Sequence, residues 1–484
     1  MAQAGARARR RRPDLSAAPE DARGRPRTLD SSTDALLLAY LVQLKIVFKI
    51  IYAAAVLVVA AQAAARAETP PPVEPAAAPP PANVIAAPGV TGPLLELPAE
   101  RDMPQMTLPR ETAIENPLRA ISAASATAIG GYGELTLNTP SNNLIPPHDG
   151  PAVVDLRRLV LFVGHNFSER IRFYSELEVE HAVSSANDQG EFEVEQAYLD
   201  GLFNKHFNLR GGLIIMPVGI INVYHEPPTF NGVDRPDVDT LVIPSTWREA
   251  GFGAFGELTT GLSYQAYAVT SFNANGFTAE SGIAEGHQEA QLAYAGDGGL
   301  VARLTFEPVL ATIFGLSGYA ATSGNDLRAT VGRVPLGLVE ADARTRYHGF
   351  TARAELAFLF IGDTEALNQA FVNGTADQRA NAMIGPVAKQ LRGAYVEAGY
   401  NLLRLAAPSS DQDLTLFFRY DYANTQASVA AGFTANPELI RTTQTVGLVY
   451  RPIPEIGLKS DVQRHEFGAG ASYNEYAAAI TWMF

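Results

Sequence analysis

The last ten residues of the chain alternate. Counting back from Phe484, the side chains of Trp482, Ile480, Ala478 and Tyr476 share one face of an extended segment, and Met483, Thr481, Ala479, Ala477 and Glu475 share the other. Side chains that repeat every two residues mark a β-strand. In a water-soluble domain the final residues usually fray. An apolar, aromatic-ended face carried to the last residue instead suits a strand with lipid on one side, so the segment predicts the closing strand of a transmembrane antiparallel β-barrel.

Bulk properties agree. A mean hydropathy near zero is what alternating in-and-out strands average to. A helical membrane protein would show repeated apolar runs of about 20 residues; here one run stands near the N-terminus. Lys45 and Lys49 precede or flank its core from Ile50 to Ala61, and Ala65-Arg66-Ala67 offers small residues at a signal-peptidase site. The expectation is an export signal cleaved near Ala67. Residues 1–43 are too long for an ordinary signal n-region, which suggests an over-called start with initiation near Val47. The alternative is an inner-membrane helix from about Ala35 to Ala61, with two lysines inside it.

Residues 1–67 hold 11 of the 37 basic and 5 of the 51 acidic side chains, leaving a net charge of −20 beyond them. Nucleic acid is excluded as a partner on that balance. The absence of cysteine removes disulfides and thiolate chemistry. Residues 68–118 are rich in Pro and Ala, including Pro70-Pro71-Pro72 and Pro79-Pro80-Pro81, and read as a semi-extended periplasmic linker. The barrel domain is expected over residues 119–484, with its strands beyond Thr127.

Alternating segments separated by alternately short and long connections give about sixteen strands. Upward ones are expected near 129–138, 170–182, 208–216, 262–272, 313–322, 350–360, 413–422 and 456–465. Downward ones fall near 154–165, 191–203, 247–258, 298–307, 336–347, 393–403, 441–452 and 473–484. Faces follow from parity: Leu414, Leu416, Phe418, Tyr420 and Tyr422 toward lipid, Arg419 and Asp421 toward the lumen. The terminal residues Tyr476, Ile480, Trp482 and Phe484 resemble the assembly signal that bacterial barrel-assembly machinery reads on outer-membrane proteins.

Two stretches carry a more specific likeness. Leu161 to His181, followed by Glu193-Val194-Glu195-Gln196-Ala197-Tyr198, is one. The other runs from Met216-Pro217-Val218-Gly219 through His225-Glu226-Pro227-Pro228 and Asp234-Arg235-Pro236 to Ile243-Pro244-Ser245-Thr246-Trp247. Both resemble the phosphate-selective porin O and P family, over roughly residues 127–484. That resemblance implies a sixteen-stranded outer-membrane channel, typically a homotrimer, whose third external loop folds inward to narrow the pore.

The loop has independent support. Pro217 to Thr246 carries His225, Glu226, Asp234, Arg235, Asp237 and Asp239, and a structureless loop this long is uncommon unless it has a role. Asp234, Arg235 and Asp237 are the expected solute contacts, facing a wall that bears Glu176, Glu178, Glu193 and Glu195. The GxGxxG match at Gly251 to Gly256 would need a following helix to hold a dinucleotide, and a strand is expected instead. Gly251 and Gly253 lie on the lumen parity, where missing side chains could leave room for the loop.

By parity the lumen wall receives Arg172, Arg303, Arg344, Arg346, Arg353, Arg419 and Lys459 against thirteen acids, including Glu176, Glu178, Glu180, Glu191, Glu193 and Glu195. Two readings stay open. Arginine across the sheet, Arg172 for instance, neutralises the two acidic triplets and leaves a mixed lining, or the surplus repels anions. The expected role is a water-filled outer-membrane channel for small ions or hydrophilic solutes, with phosphate implied by the resemblance alone. The alternatives are a non-conducting structural or adhesive barrel and an outer-membrane hydrolase. Neither HExxH nor GxSxG occurs, so catalysis is not expected, nor is a cofactor or metal centre.

Overall fold

The structure, a computed structural model, describes residues 127–139, 152–182 and 190–484. The expected export signal, its cleavage point and the Pro/Ala-rich linker lie outside these residues.

The described chain is a closed sixteen-stranded barrel in which every neighbouring pair runs antiparallel. It opens with β1 (Thr127–Thr139), β2 (Val153–Asn166), β3 (Ile171–Glu180), β4 (Phe192–Leu202), β5 (Asn208–Ile215) and β6 (Arg248–Thr259). Next come β7 (Leu262–Val269), β8 (Gly299–Val309), β9 (Thr312–Thr322), β10 (Pro335–Tyr347) and β11 (Phe350–Ile361). The wall is completed by β12 (Gln390–Asn401), β13 (Asp413–Ser428), β14 (Ile440–Ile453), β15 (Ile456–Phe467) and β16 (Ser472–Met483). Each strand expected from periodicity is present within a few residues.

Local chemistry explains the alternation of turns and loops. At one end, residues 260–261, 310–311, 348–349 and 454–455 join strands directly. At 348–349, His348 (φ 48°) and Gly349 (φ 86°) both take the left-handed conformation that a two-residue type I′ hairpin needs. The connections at the other end are mostly longer, and the longest, between β5 and β6, carries the short helix α1 (Val238–Leu241).

Closure uses the terminal strand. β16 pairs with β1 from Tyr132 opposite Met483 to Thr139 opposite Tyr476. Phe484 then exchanges backbone hydrogen bonds with Gly131, at 2.9 and 3.0 Å. The glycines of β1 make this fit possible: a β-carbon on Gly131 would sit 2.9 Å from the Phe484 ring, and one on Gly133 would sit 2.6 Å from the Trp482 ring. Tyr476, Ile480 and Phe484 are exposed on the outer face, while Glu475, Ala477, Ala479 and Thr481 are buried inside. On β13 the same parity holds, with Leu416, Phe418 and Tyr420 outward and Thr415, Phe417, Arg419 and Asp421 buried.

Candidate functional site

The lumen is occupied by the β5–β6 loop, residues 216–247, nearly all of which is buried. Counted along the chain it is the third connection at the long-loop end, and it is tied to the wall on several sides by groups that a polar lumen makes available. Near its start, Ile220 donates its backbone N–H to Glu355 on β11 at 3.0 Å. The Tyr224 ring lies under the Arg344 guanidinium of β10, 3.9 Å away. The Thr229 carbonyl accepts from Arg353. Asn231 donates to Glu397 of β12 at 2.9 Å, and Lys459 of β15 donates to the Gly232 carbonyl at 2.8 Å.

The tip is held hardest. The Asp234 carboxylate accepts from Arg157 Nη1 (2.9 Å), Asn138 Nδ2 (3.0 Å) and Gln463 Nε2 (2.8 Å), while Arg419 donates to its backbone oxygen at 3.0 Å. Asp237 accepts from Arg441 at 3.0 Å and from Thr443 at 2.7 Å. Burial alone would raise both carboxyls, but these cations and donors outweigh it and hold Asp234 and Asp237 below the usual aspartate range. Both side chains therefore anchor the loop to the wall, whereas the sequence had suggested that they contact the solute. Arg235 is placed differently: its buried Nη2 has no hydrogen-bond partner, and it feels Arg158, Glu178 and Glu134. Asp239 is buried with both carboxylate oxygens unpartnered and is pushed up to about 8, mainly by burial.

His225 meets the acidic wall. Its Nε2 lies 3.7 Å from Glu176 Oε1 on β3 and 3.7 Å from Glu195 Oε2 on β4. Burial disfavours a charged imidazole, yet Glu195 and Glu176 outweigh it and hold His225 well above its ordinary basicity. Neighbouring Glu226 is pushed up to about 7, by burial first.

Two members of the acidic triplets, Glu178 and Glu193, meet arginines, and neither arginine is Arg172. Arg158 sits 3.0 Å from Glu134 and 3.8 Å from Glu178, and Arg248 pairs with Glu193 and with Glu289 at 3.0 Å. Arg172 lies opposite Asp200, which instead takes a 2.8 Å bond from Arg210, and the Nε of Arg172 has no partner. Glu180 and Glu191 stand near the loop end of β3 and β4, with Glu180 donating its backbone N–H to the Glu191 carbonyl at 2.9 Å.

Arg157 reaches the lumen for a physical reason. The β1–β2 register shifts between Glu134 and Leu135, so that one extra β2 residue, Arg157, bulges and reaches the lumen beside Arg158. Glycine makes room for the loop elsewhere than expected: a β-carbon on Gly393 of β12 would come within 2.9 to 3.1 Å of Val238 and Val242, whereas on Gly251 and Gly253 it would strike backbone oxygens of β7. The strand β6 that carries GxGxxG runs into a hairpin with β7, with no helix to receive a dinucleotide.

Below the loop, toward the short-turn end, lies a cavity of about 230 Å³. Pro228, Thr229 and Asn231 roof it, and Arg346, Arg353, Arg404 and Arg451 line it with Asp411 and Asp413.

No family model matches the chain. An uncharacterized protein of Aquifex aeolicus (strain VF5) is 34% identical over 361 residues, covering 74% of this chain and 80% of that protein. The chain belongs to its family. Among solved structures, the Salmonella typhi OmpF complex with daunomycin overlaps 74% of this chain and 97% of its own, at a TM-score of 0.50 and 12% identity. The outer membrane channel DcaP of Acinetobacter baumannii covers the same shares at a TM-score of 0.46 and 12% identity. The barrel thus has the fold seen in the OmpF structure.

Proposed function

We propose that this barrel is an outer-membrane channel for passive diffusion of small hydrophilic solutes, working as a homotrimer and gated in width by the β5–β6 loop. The observation that carries the reading is the loop itself, a polar and charged segment folded inside a closed barrel. Unpaired charge in a dry apolar interior is prohibitive, so such a lining makes sense beside water. Along the upper wall Arg158 and Arg248 pair with Glu178 and Glu193, which removes part of the field expected from the acidic surplus. The lower vestibule keeps four arginines against two aspartates, and that asymmetry supports a preference for small anions, phosphate among them.

Planar-bilayer recording of the purified protein in a salt gradient tests both parts. An open pore with an anion-selective reversal potential, moved toward cations by Arg404→Glu, supports the reading. The near-complete burial of the loop favours a second one, a barrel kept shut by its plug. Absence of any channel current from correctly folded protein would establish that alternative.

A further inference from the structure

Glu176, Glu195 and His225 converge on a single point. Their ligand atoms all lie within 4.8 Å of one another. The three side chains are 1%, 0% and 2% exposed. Glu176 Oε1, Glu195 Oε1 and His225 Nε2 each lack a hydrogen-bond partner, and Nε2 stands 3.7 Å from Glu176 Oε1 and 3.7 Å from Glu195 Oε2, too far for a hydrogen bond to either. Buried polar atoms are ordinarily paired, and an orphaned atom on each of three clustered buried side chains requires an explanation.

We propose that these three side chains bind a divalent transition-metal ion, which clasps the inward loop to β3 and β4. The chemistry of the donor set fits. Two carboxylate oxygens with one imidazole nitrogen suit zinc-like ions, whereas magnesium and calcium favour all-oxygen sites. At metal–ligand distances of about 2.1 Å, donors of a tetrahedral ion stand about 3.4 Å apart, so the two 3.7 Å separations from His225 close by a few tenths of an ångström and the two carboxylates draw together from within 4.8 Å.

The surroundings already orient the donors. His225 Nδ1 lies 3.4 Å from the Asn222 carbonyl, which places the ring proton on Nδ1 and turns the Nε2 lone pair toward the carboxylates. Gln196 Nε2 donates to Glu176 Oε2 at 2.5 Å, leaving Oε1 free beside His225, and Tyr132 holds the Glu195 carboxylate in place through a 3.3 Å bond to Oε2. A bulge contributes too. Glu176 is opposite Gln196 and Leu177 is opposite Val194, so Glu195 is the extra residue on β4 and lies buried at the bulge.

Charge points the same way. Glu178 and Glu226 lie within electrostatic reach of the same point, so four carboxylates face His225 and an Arg158 already shared with Glu134. A proton on His225 supplies one positive charge; a divalent ion supplies two and bonds all three donors.

The test uses the full barrel, folded in detergent and stripped with chelator, so it is independent of whether the pore conducts. Zn²⁺ is titrated in competition with a chromogenic chelator. The expected result is one saturable equivalent per chain, undiminished by excess Mg²⁺, with affinity reduced on the order of 100-fold in His225→Asn and Glu195→Gln. Heat-modifiable migration confirms that each variant is folded; should His225→Asn fail that check, Glu176→Gln takes its place. X-ray absorption of the zinc complex should show one imidazole among oxygen donors. Equal binding by wild type and folded variants, equal competition by Mg²⁺, or no saturable binding would overturn the assignment.

Discussion

Replacing Asp234 by alanine should loosen the tip of the inward loop by about 3 kcal/mol. The carboxylate is the shared acceptor for Arg157, Asn138 and Gln463, and its removal strands a guanidinium that has no comparable partner. Breaking a buried ion pair from one side costs about 3 to 5 kcal/mol. The side chains of Arg157 and Asp234 retain 23% and 12% exposure, so some hydration returns and the lower end of that range applies. An effect of about 3 kcal/mol is a change of roughly 150-fold in the docking equilibrium. Hydrogen exchange of the loop amides around Val233 to Asp237 reads that equilibrium directly, and single-channel current noise should rise in parallel. The double variant with Arg157→Ala should recover part of the loss, because the stranded charge is gone. Exchange within about threefold of wild type in Asp234→Ala would refute the idea that this carboxylate anchors the loop.

Three further outcomes follow from the same geometry. Deleting Phe484 removes both backbone bonds to Gly131 and the ring that covers it, so folded, heat-modifiable barrel should fall sharply in the outer membrane while synthesis continues, as immunoblotting of membrane fractions would show. Asp239 is raised to about 8 by burial, so the docked loop holds a proton that an undocked loop releases above about pH 4; docking weakens as pH rises through that window, conductance should be higher at pH 8 than at pH 5, and Asp239→Asn should flatten the difference. Gly393→Val would drive its side chain into Val238 and Val242 and cost about 1 to 3 kcal/mol of loop packing, read as faster loop exchange with an unchanged strand core.

Period-two alternation made the barrel legible, because lipid and water on opposite faces force Leu416 and Phe418 one way and Arg419 and Asp421 the other. Loop length pointed to the inward segment for an equally plain reason. The partners within the lumen were not legible. Asp234 meets Gln463 across 229 positions of sequence, and nothing local to either residue encodes that distance. A bulge is invisible to parity: Arg157 reaches the lumen only through the β1–β2 shift, whereas Glu195, at the shift between β3 and β4, keeps the inward aim that parity assigned it. The choice of Arg172 as counter-ion failed because cross-strand adjacency gave it Asp200, which Arg210 already held.

Asp234 has a further consequence for the seam between the first and last strands. Asn138 belongs to β1 and Gln463 to β15, so the carboxylate that joins them spans β16 from inside the barrel. The join that completes the wall is thereby buttoned on its inner surface by a residue from the middle of the chain. A lateral gap could open there only if the loop let go first, and the loop can take its final hold only after the fifteenth strand has arrived.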